Sequence, residues 1–247
     1  MDNVVFIKHL GSSIQSWLNY ISSVGREFIL SESSIKMPLA EFIGTKIADT
    51  DAVKLEYLHP NLFMKRMDLY YKKKVNTDEF QTAFEFKYVK DASTIDNVEK
   101  QRVFNDLMRL HIFITNANIP TNAYFLICGS QYEFDQSFQR ILPPINNIGP
   151  RTNTPVNLPK QAGFYTEWFK FDYKDPEQTI NLSNNGSEHF GFYNDFFSKY
   201  ETPYEKQMKK KLIRPNELKT KLIFISQDNE QIDVPEPMKL GIWEIYS

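Results

Sequence analysis

Asp68, Glu85 and Lys87 are the residues whose types and spacing point most directly to chemistry. Glu85 and Lys87 stand two apart in Phe84-Glu85-Phe86-Lys87-Tyr88-Val89, so on an extended strand their side chains share a face. Asp68 lies in Arg66-Met67-Asp68-Leu69, an alternating segment that precedes the first by hairpin distance. Antiparallel pairing then brings Asp68 beside Glu85. Two carboxylates are hard oxygen donors of the kind magnesium takes, with water and a substrate phosphate completing its shell. Such an ion polarises a phosphoryl oxygen and lowers the pKa of a bound water. A neighbouring ammonium orients that water and stabilises developing charge. A lone Glu-x-Lys on a strand is an exposed charge pair of small energetic consequence; the Asp at hairpin distance gives this one a different meaning.

The elements that must position the trio follow from hydrophobic period. Residues 65–73 and 80–88 alternate as strands do, and the polar run 75–79 between them suits a hairpin connection. A helix is expected from Asp96, with Asp96 and Glu99 as a capping box and Val103, Leu107, Leu110 and Ile114 as its apolar stripe. The apolar run 123–128, closed by Gly129, reads as a buried strand. Strand, helix and buried strand in that order predict a right-handed parallel crossover. Upstream, helical spacing predicts helices over 12–30 and 38–46, with 31–34 as a break. Downstream, helices are expected over 132–142 and 189–200, and strands over 167–173, 222–226 and 240–246. The Pro-, Asn- and Thr-rich stretch 143–160 reads as a long irregular loop. The fold class is α/β, a mixed central sheet flanked by helices. It forms one domain over 1–247, with a core at about 34–142 and a C-terminal elaboration at about 160–247.

The pattern of Arg66-Met67-Asp68-Leu69, a turn, then Phe84-Glu85-Phe86-Lys87 resembles the signature of the PD-(D/E)XK phosphodiesterase superfamily, the restriction-endonuclease-like fold. Met67 stands where the proline of that motif would be. The resemblance covers roughly residues 34–129 and implies a magnesium-dependent endonuclease acting on DNA rather than RNA, with manganese as a substitute. By position, Asp68 and Glu85 would bind the metal, the Phe86 carbonyl would add a ligand, and Lys87 would act on the nucleophilic water. Glu41 is the expected upstream acid from the first core helix, with Glu27 as the alternative. Gln101 falls where some subfamilies carry a glutamine after the lysine strand, but Asn105 replaces the tyrosine expected one turn later. A restriction or phage-defence role, a cytoplasmic location and a homodimer for cutting both strands are further expectations. The alternative is a catalytically silent binding module with the same fold.

Composition bounds the rest. A net charge of −2 does not advertise a nucleic-acid binder, so contacts to phosphate must come from a local basic face. Arg66, Gln101, Lys209, Lys210 and Arg214 are the candidates. The single cysteine, Cys128, excludes an internal disulfide framework and lies in an apolar run, as a buried small residue would. The four histidines are scattered without metal-ligand spacing. The N-terminus lacks a signal-peptide pattern, and no apolar run approaches the ~20 residues of a membrane span.

Overall fold

The computed structural model describes residues 3–47, 53–75, 78–140, 161–162, 165–183, 188–226 and 237–247. The chain begins with two helices, α1 (Asn3–Ser23) and α2 (Glu32–Gly44), then a meander of β1 (Val53–Leu58), β2 (Arg66–Val75) and β3 (Asp78–Val89). Helix α3 (Asn97–Thr115) leads to β4 (Thr121–Ser130) and the short α4 (Gln131–Phe138). Two-residue strands β5 (Gln139–Arg140) and β6 (Gln161–Ala162) pair with each other. The chain closes with β7 (Glu177–Asn181), α5 (Glu188–Met208), β8 (Glu217–Ile225) and β9 (Met238–Tyr246).

Seven strands form one mixed sheet in the order β1-β2-β3-β4-β9-β8-β7. Only β3 and β4 run parallel, as the intervening α3 requires; the other neighbours are antiparallel. The C-terminal residues are thus part of the sheet, since β9 pairs with β4 along eight registered positions.

Each face of the sheet carries helices. Ile7, Leu10, Ile14 and Leu18 of α1 and Ile35, Leu39 and Ile43 of α2 pack on Leu69, Phe84, Phe86, Tyr124, Leu126 and Ile242. Val103, Leu107 and Met108 of α3 and Phe196 and Phe197 of α5 belong to the opposite core, with Ala83, Phe125, Ile127 and Trp243. Alternate residues of β3 therefore serve different cores, Phe84 and Phe86 on one side and Ala83 and Val89 on the other.

Several expected boundaries move. Helix α1 starts nine residues before the expected position 12 and runs through Gly11-Ser12-Ser13. The Ser12 and Ser13 hydroxyls bond back to the carbonyls of Lys8 and His9, which satisfies them inside a helix. Gly11 is there because a Cβ would meet the Phe224 ring at 2.5 Å. The stretch 27–29, expected in the same helix, is a single 3-10 turn. The expected break at 31–34 is the start of α2, where Ser31 and Ser34 form a reciprocal capping box and Pro38 falls inside the helix. The segment expected as a strand at 167–173 is a series of turns that buries Trp168 and Phe169. The Lys170 carbonyl there accepts from the Trp243 indole N–H. The helix expected at 132–142 ends at Phe138, and the one expected to end at Tyr200 continues to Met208 past Pro203. Strands β1 and β7 lie in segments with no expected element. The stretch 143–160 lies outside the described residues, as do 76–77 at the hairpin tip. Among the described residues, no helix is long and apolar enough to cross a membrane.

Candidate active site

The hairpin of β2 and β3 sets the site. Its registered pairing runs up to Leu69 opposite Phe84, so Asp68 and Glu85 come one step further along. There the backbone ladder gives way to a side chain: Asp68 Oδ2 accepts from the Phe86 N–H at 2.8 Å. A strand residue directs its N–H and C=O toward the same neighbour, so the Phe86 carbonyl faces the edge that Asp68 occupies. The Asp68 and Glu85 carboxyl groups lie within hydrogen-bonding reach of each other. Glu85 is almost fully buried, at 1% exposure.

Three largely buried cations reach into this corner, each from a different element, and a fourth, Arg102, lies at its rim. Lys36 of α2 reaches Asp68 Oδ1 at 2.7 Å and also contacts Glu56 of β1. Arg109 of α3 bonds Glu85 Oε1 through both Nε and Nη2 at 3.1 Å, and Asp106 through Nη2 at 2.7 Å. Lys87 of β3 bridges Glu32, the first residue of α2, at 2.7 Å, and Glu99 in the first turn of α3. Arg102 joins Glu99 from the solvent side at 3.4 Å. The Asp96 side chain caps the Glu99 N–H at 2.9 Å as expected. The Glu99 carboxylate, however, is committed to Lys87 and Arg102, so it does not complete the other half of a capping box.

Arg109 is itself anchored. The buried His59 donates through Nε2 to the Arg109 carbonyl at 2.9 Å, while its Nδ1 accepts from the N–H groups of Asn61 and Leu62 at 3.1 Å. That pattern needs a neutral imidazole, and burial pushes the His59 pKa down to about 4.

Electrostatically the corner has more acid than base. Among the described residues, six carboxyl groups (Glu32, Glu56, Asp68, Glu85, Glu99, Asp106) face four cations (Lys36, Lys87, Arg102, Arg109), an excess of two negative charges when all ionise. Burial raises the Glu85 pKa well above the usual carboxylate range; Arg109 opposes this, and Asp106 and Asp68 add to it. Burial likewise raises Asp106 to about 6, against the pull of Arg109. Burial works to lower the Lys87 pKa, but Glu32 and Glu99 reverse that and leave it raised. A groove of about 430 Å³, lined by Lys87, Lys90, Asp96, Glu99, Arg102 and Tyr165 among others, opens onto the lysine.

The donor set suits a hard divalent ion: two adjacent carboxylates whose mutual repulsion such an ion relieves, beside a carbonyl on the same edge. No group of three or more His, Cys, Asp or Glu among the described residues forms a ready metal cage. Magnesium often takes only one or two protein carboxylates and keeps several waters.

Of the residues expected from sequence, Asp68, Glu85 and Phe86 come together here, while Lys87, two residues on, directs its ammonium to Glu32 and Glu99. Glu41 does not. It is exposed near the end of α2, about 13 Å along the helix from Glu32 at ~1.5 Å per residue. Glu27 sits in the 3-10 turn before α2. Gln101 donates to Asp195 of α5 at 3.1 Å, and Arg66 donates to the Glu56 carbonyl at 3.1 Å. Lys209 and Lys210 are exposed just past α5. Arg214 is held by both oxygens of Glu201, at 3.1 and 2.6 Å. The residues that sequence reasoning missed are Glu32, Lys36, Glu56, Arg102, Asp106 and Arg109, and Glu99 was expected only as part of a helix cap. A signal existed for part of this set: Glu99, Arg102, Asp106 and Arg109 recur at spacings of three and four, a charged stripe along one face of α3. Comparison with protein families, curated proteins and solved structures finds no match for this chain.

Proposed function

We propose that the chain is a divalent-cation-dependent nuclease hydrolysing phosphodiester bonds in DNA, with Asp68, Glu85 and Lys87 at its centre. The observation that carries this reading is the meeting of the Asp68 and Glu85 carboxyl groups where the hairpin ladder ends, with Lys87 two residues on. The element order supports it too: a helix, a three-strand meander, a helix and a strand parallel to the third is the order that a restriction-endonuclease-like core implies.

In this reading Asp68 and Glu85 hold the cation, with the Phe86 carbonyl as a further donor. Magnesium, when bound, supplies Lewis-acid polarisation of the phosphoryl oxygen and a water of lowered pKa. Lys87 positions the attacking water and offsets charge on the phosphate in the transition state. Glu32, 2.7 Å from the Lys87 ammonium, keeps the lysine charged and fixes its direction. Arg109 fixes the Glu85 carboxylate, and the groove beside Lys87 gives the strand its approach. Cleavage of both strands would suit a two-fold pair of chains, and a restriction or phage-defence setting fits such chemistry.

A second reading has a specific observation behind it. Lys36 and Arg109 already neutralise the two metal-binding carboxylates, which a catalytically silent binding module with a structural ion network would also show.

The test is incubation of circular and linear DNA with the protein, with and without magnesium, beside Glu85→Gln and Lys87→Ala. Metal-dependent cleavage by the wild type, reduced at least about 100-fold in both variants, is the expected result. Lys87→Ala also leaves Glu32 and Glu99 facing each other, so its thermal midpoint should fall by several degrees. Failure of the wild type to cleave DNA under any divalent cation would favour the silent module.

A further inference from the structure

We propose that Lys36 is the resident counter-cation of Asp68, a built-in competitor that sets how tightly the site takes a divalent ion. The inference rests on the metal-site reading above and concerns the regulation of that site.

Both Asp68 oxygens have protein donors. Oδ2 takes the Phe86 N–H at 2.8 Å, and Oδ1 takes the Lys36 ammonium at 2.7 Å. The first is backbone within the sheet and stays. The second is the tip of a flexible four-carbon stem, a point charge rather than a fixed fork. A cation that binds through Asp68 must therefore displace the ammonium from Oδ1 or share the oxygen with it.

The other described cations of the corner do not play this part, and Arg102 pairs, among the described residues, only with Glu99. Arg109 grips Glu85 through two nitrogens and Asp106 through one, and its own backbone carbonyl is held by His59. Lys87 is spanned by Glu32 and Glu99. Among the described residues, Lys36 alone combines a single-point contact to a metal-binding carboxylate with a second acidic partner at the rim. That partner, Glu56, is half-exposed on the edge strand β1, while the Lys36 side chain is only 11% exposed. Glu56 gives the ammonium somewhere to remain when a divalent ion takes Asp68, so exchange does not strand a buried charge. Occupancy then switches between two neutralised states: ammonium on Asp68, or divalent ion on Asp68 with the ammonium on Glu56.

The experiment is titration of the full-length protein with Mn²⁺, followed by calorimetry and by the loss of free-ion electron paramagnetic resonance signal. Wild type, Lys36→Met, Lys36→Arg and Glu56→Gln are compared without nucleic acid. Lys36→Met should bind Mn²⁺ roughly ten-fold or more tightly than wild type, since a contact charge has been removed. Lys36→Arg, which keeps the charge, should stay within roughly three-fold of wild type. Glu56→Gln, which leaves Asp68 as the ammonium's one acidic partner, should bind roughly three-fold or more weakly. The Lys36→Met gain should persist at 0.5 M KCl, because a contact effect survives salt that screens a long-range field. Unchanged or weaker binding by Lys36→Met, with wild-type binding intact, overturns the role of Lys36 and leaves the metal site standing. No binding by wild type or Lys36→Met, with both folded by circular dichroism, overturns the metal site and this proposal together. Should Lys36→Met not fold, unchanged or tighter binding by Glu56→Gln overturns the proposal.

Discussion

At the scale of single residues, Asp106 and Glu85 show what burying carboxyl groups around one arginine does. Arg109 is bonded to both, yet both titrate above their usual range because burial outweighs the arginine. For Asp106 the sign follows directly. The folded protein holds this proton up to about pH 6, whereas the unfolded chain releases it near 3.8. Stability from this group is therefore present at low pH and is lost as pH rises from about 4 to about 6. Asp106→Asn keeps an acceptor for Arg109 and removes the titration. Urea melts of wild type and variant should nearly coincide near pH 4 and diverge by roughly 1–2 kcal/mol in favour of the variant by pH 7. A pH-independent difference would contradict the assignment. His59 works in the opposite sense, since burial lowers it to about 4 and acid must charge a ring whose two nitrogens are committed to backbone groups. For that reason the comparison is between wild type and variant and does not rest on the bare pH profile.

At the scale of elements, the decisive one is α2, because its first two turns face the site and its last does not. Glu32 bridges to Lys87 and Lys36 to Asp68, whereas Glu41 is exposed. Glu32→Gln should lower metal-dependent cleavage by about 100-fold or more, while Glu41→Gln should cleave as wild type does. Equal losses in the two variants would refute this placement. The trio itself was legible because the sequence alternates along both strands of the hairpin, although in the fold β2 slips at Asp68 and puts Met67 and Leu69 in opposite cores; the parallel β3–β4 pair was legible because a helix separates two apolar runs. The start of α2 was not. Ser31 to Ser34 has the composition of a break and the chemistry of a capping box, and Pro38, a favoured first residue of a helix, stands inside this one. Misplacing that start hid Glu32 and Lys36, and it made Glu41 the nearest acid in view. The turns at 167–173 were misread for a related reason: aromatic content suggests a strand, but Phe169 is buried against Trp243, and Trp168 against Tyr165 and His189, rather than by pairing.

At the scale of the whole molecule, the Asp68, Glu85 and Lys87 site and the last strands depend on each other. Strand β4, which receives the crossover from α3, has β3 on one side and β9 on the other. Phe125 of β4 stacks with Phe169, and Phe169 packs on Trp243 of β9. A fragment ending at residue 142 keeps every candidate catalytic side chain but exposes the β4 edge and one face of its apolar run. It should fail to fold alone and should aggregate, as size-exclusion chromatography and circular dichroism would show. A soluble, cooperatively melting fragment would mean that the C-terminal strands are dispensable. Cys128 gives the same architecture another use. It is the chain's sole thiol, wholly buried in β4, and burial raises its pKa far above the range in which a thiolate forms in neutral solution. A thiol reagent can therefore modify it only when the central strand is uncovered. With no other sulfhydryl to confuse the signal, its labelling rate is an intrinsic clock for opening at the middle of the sheet.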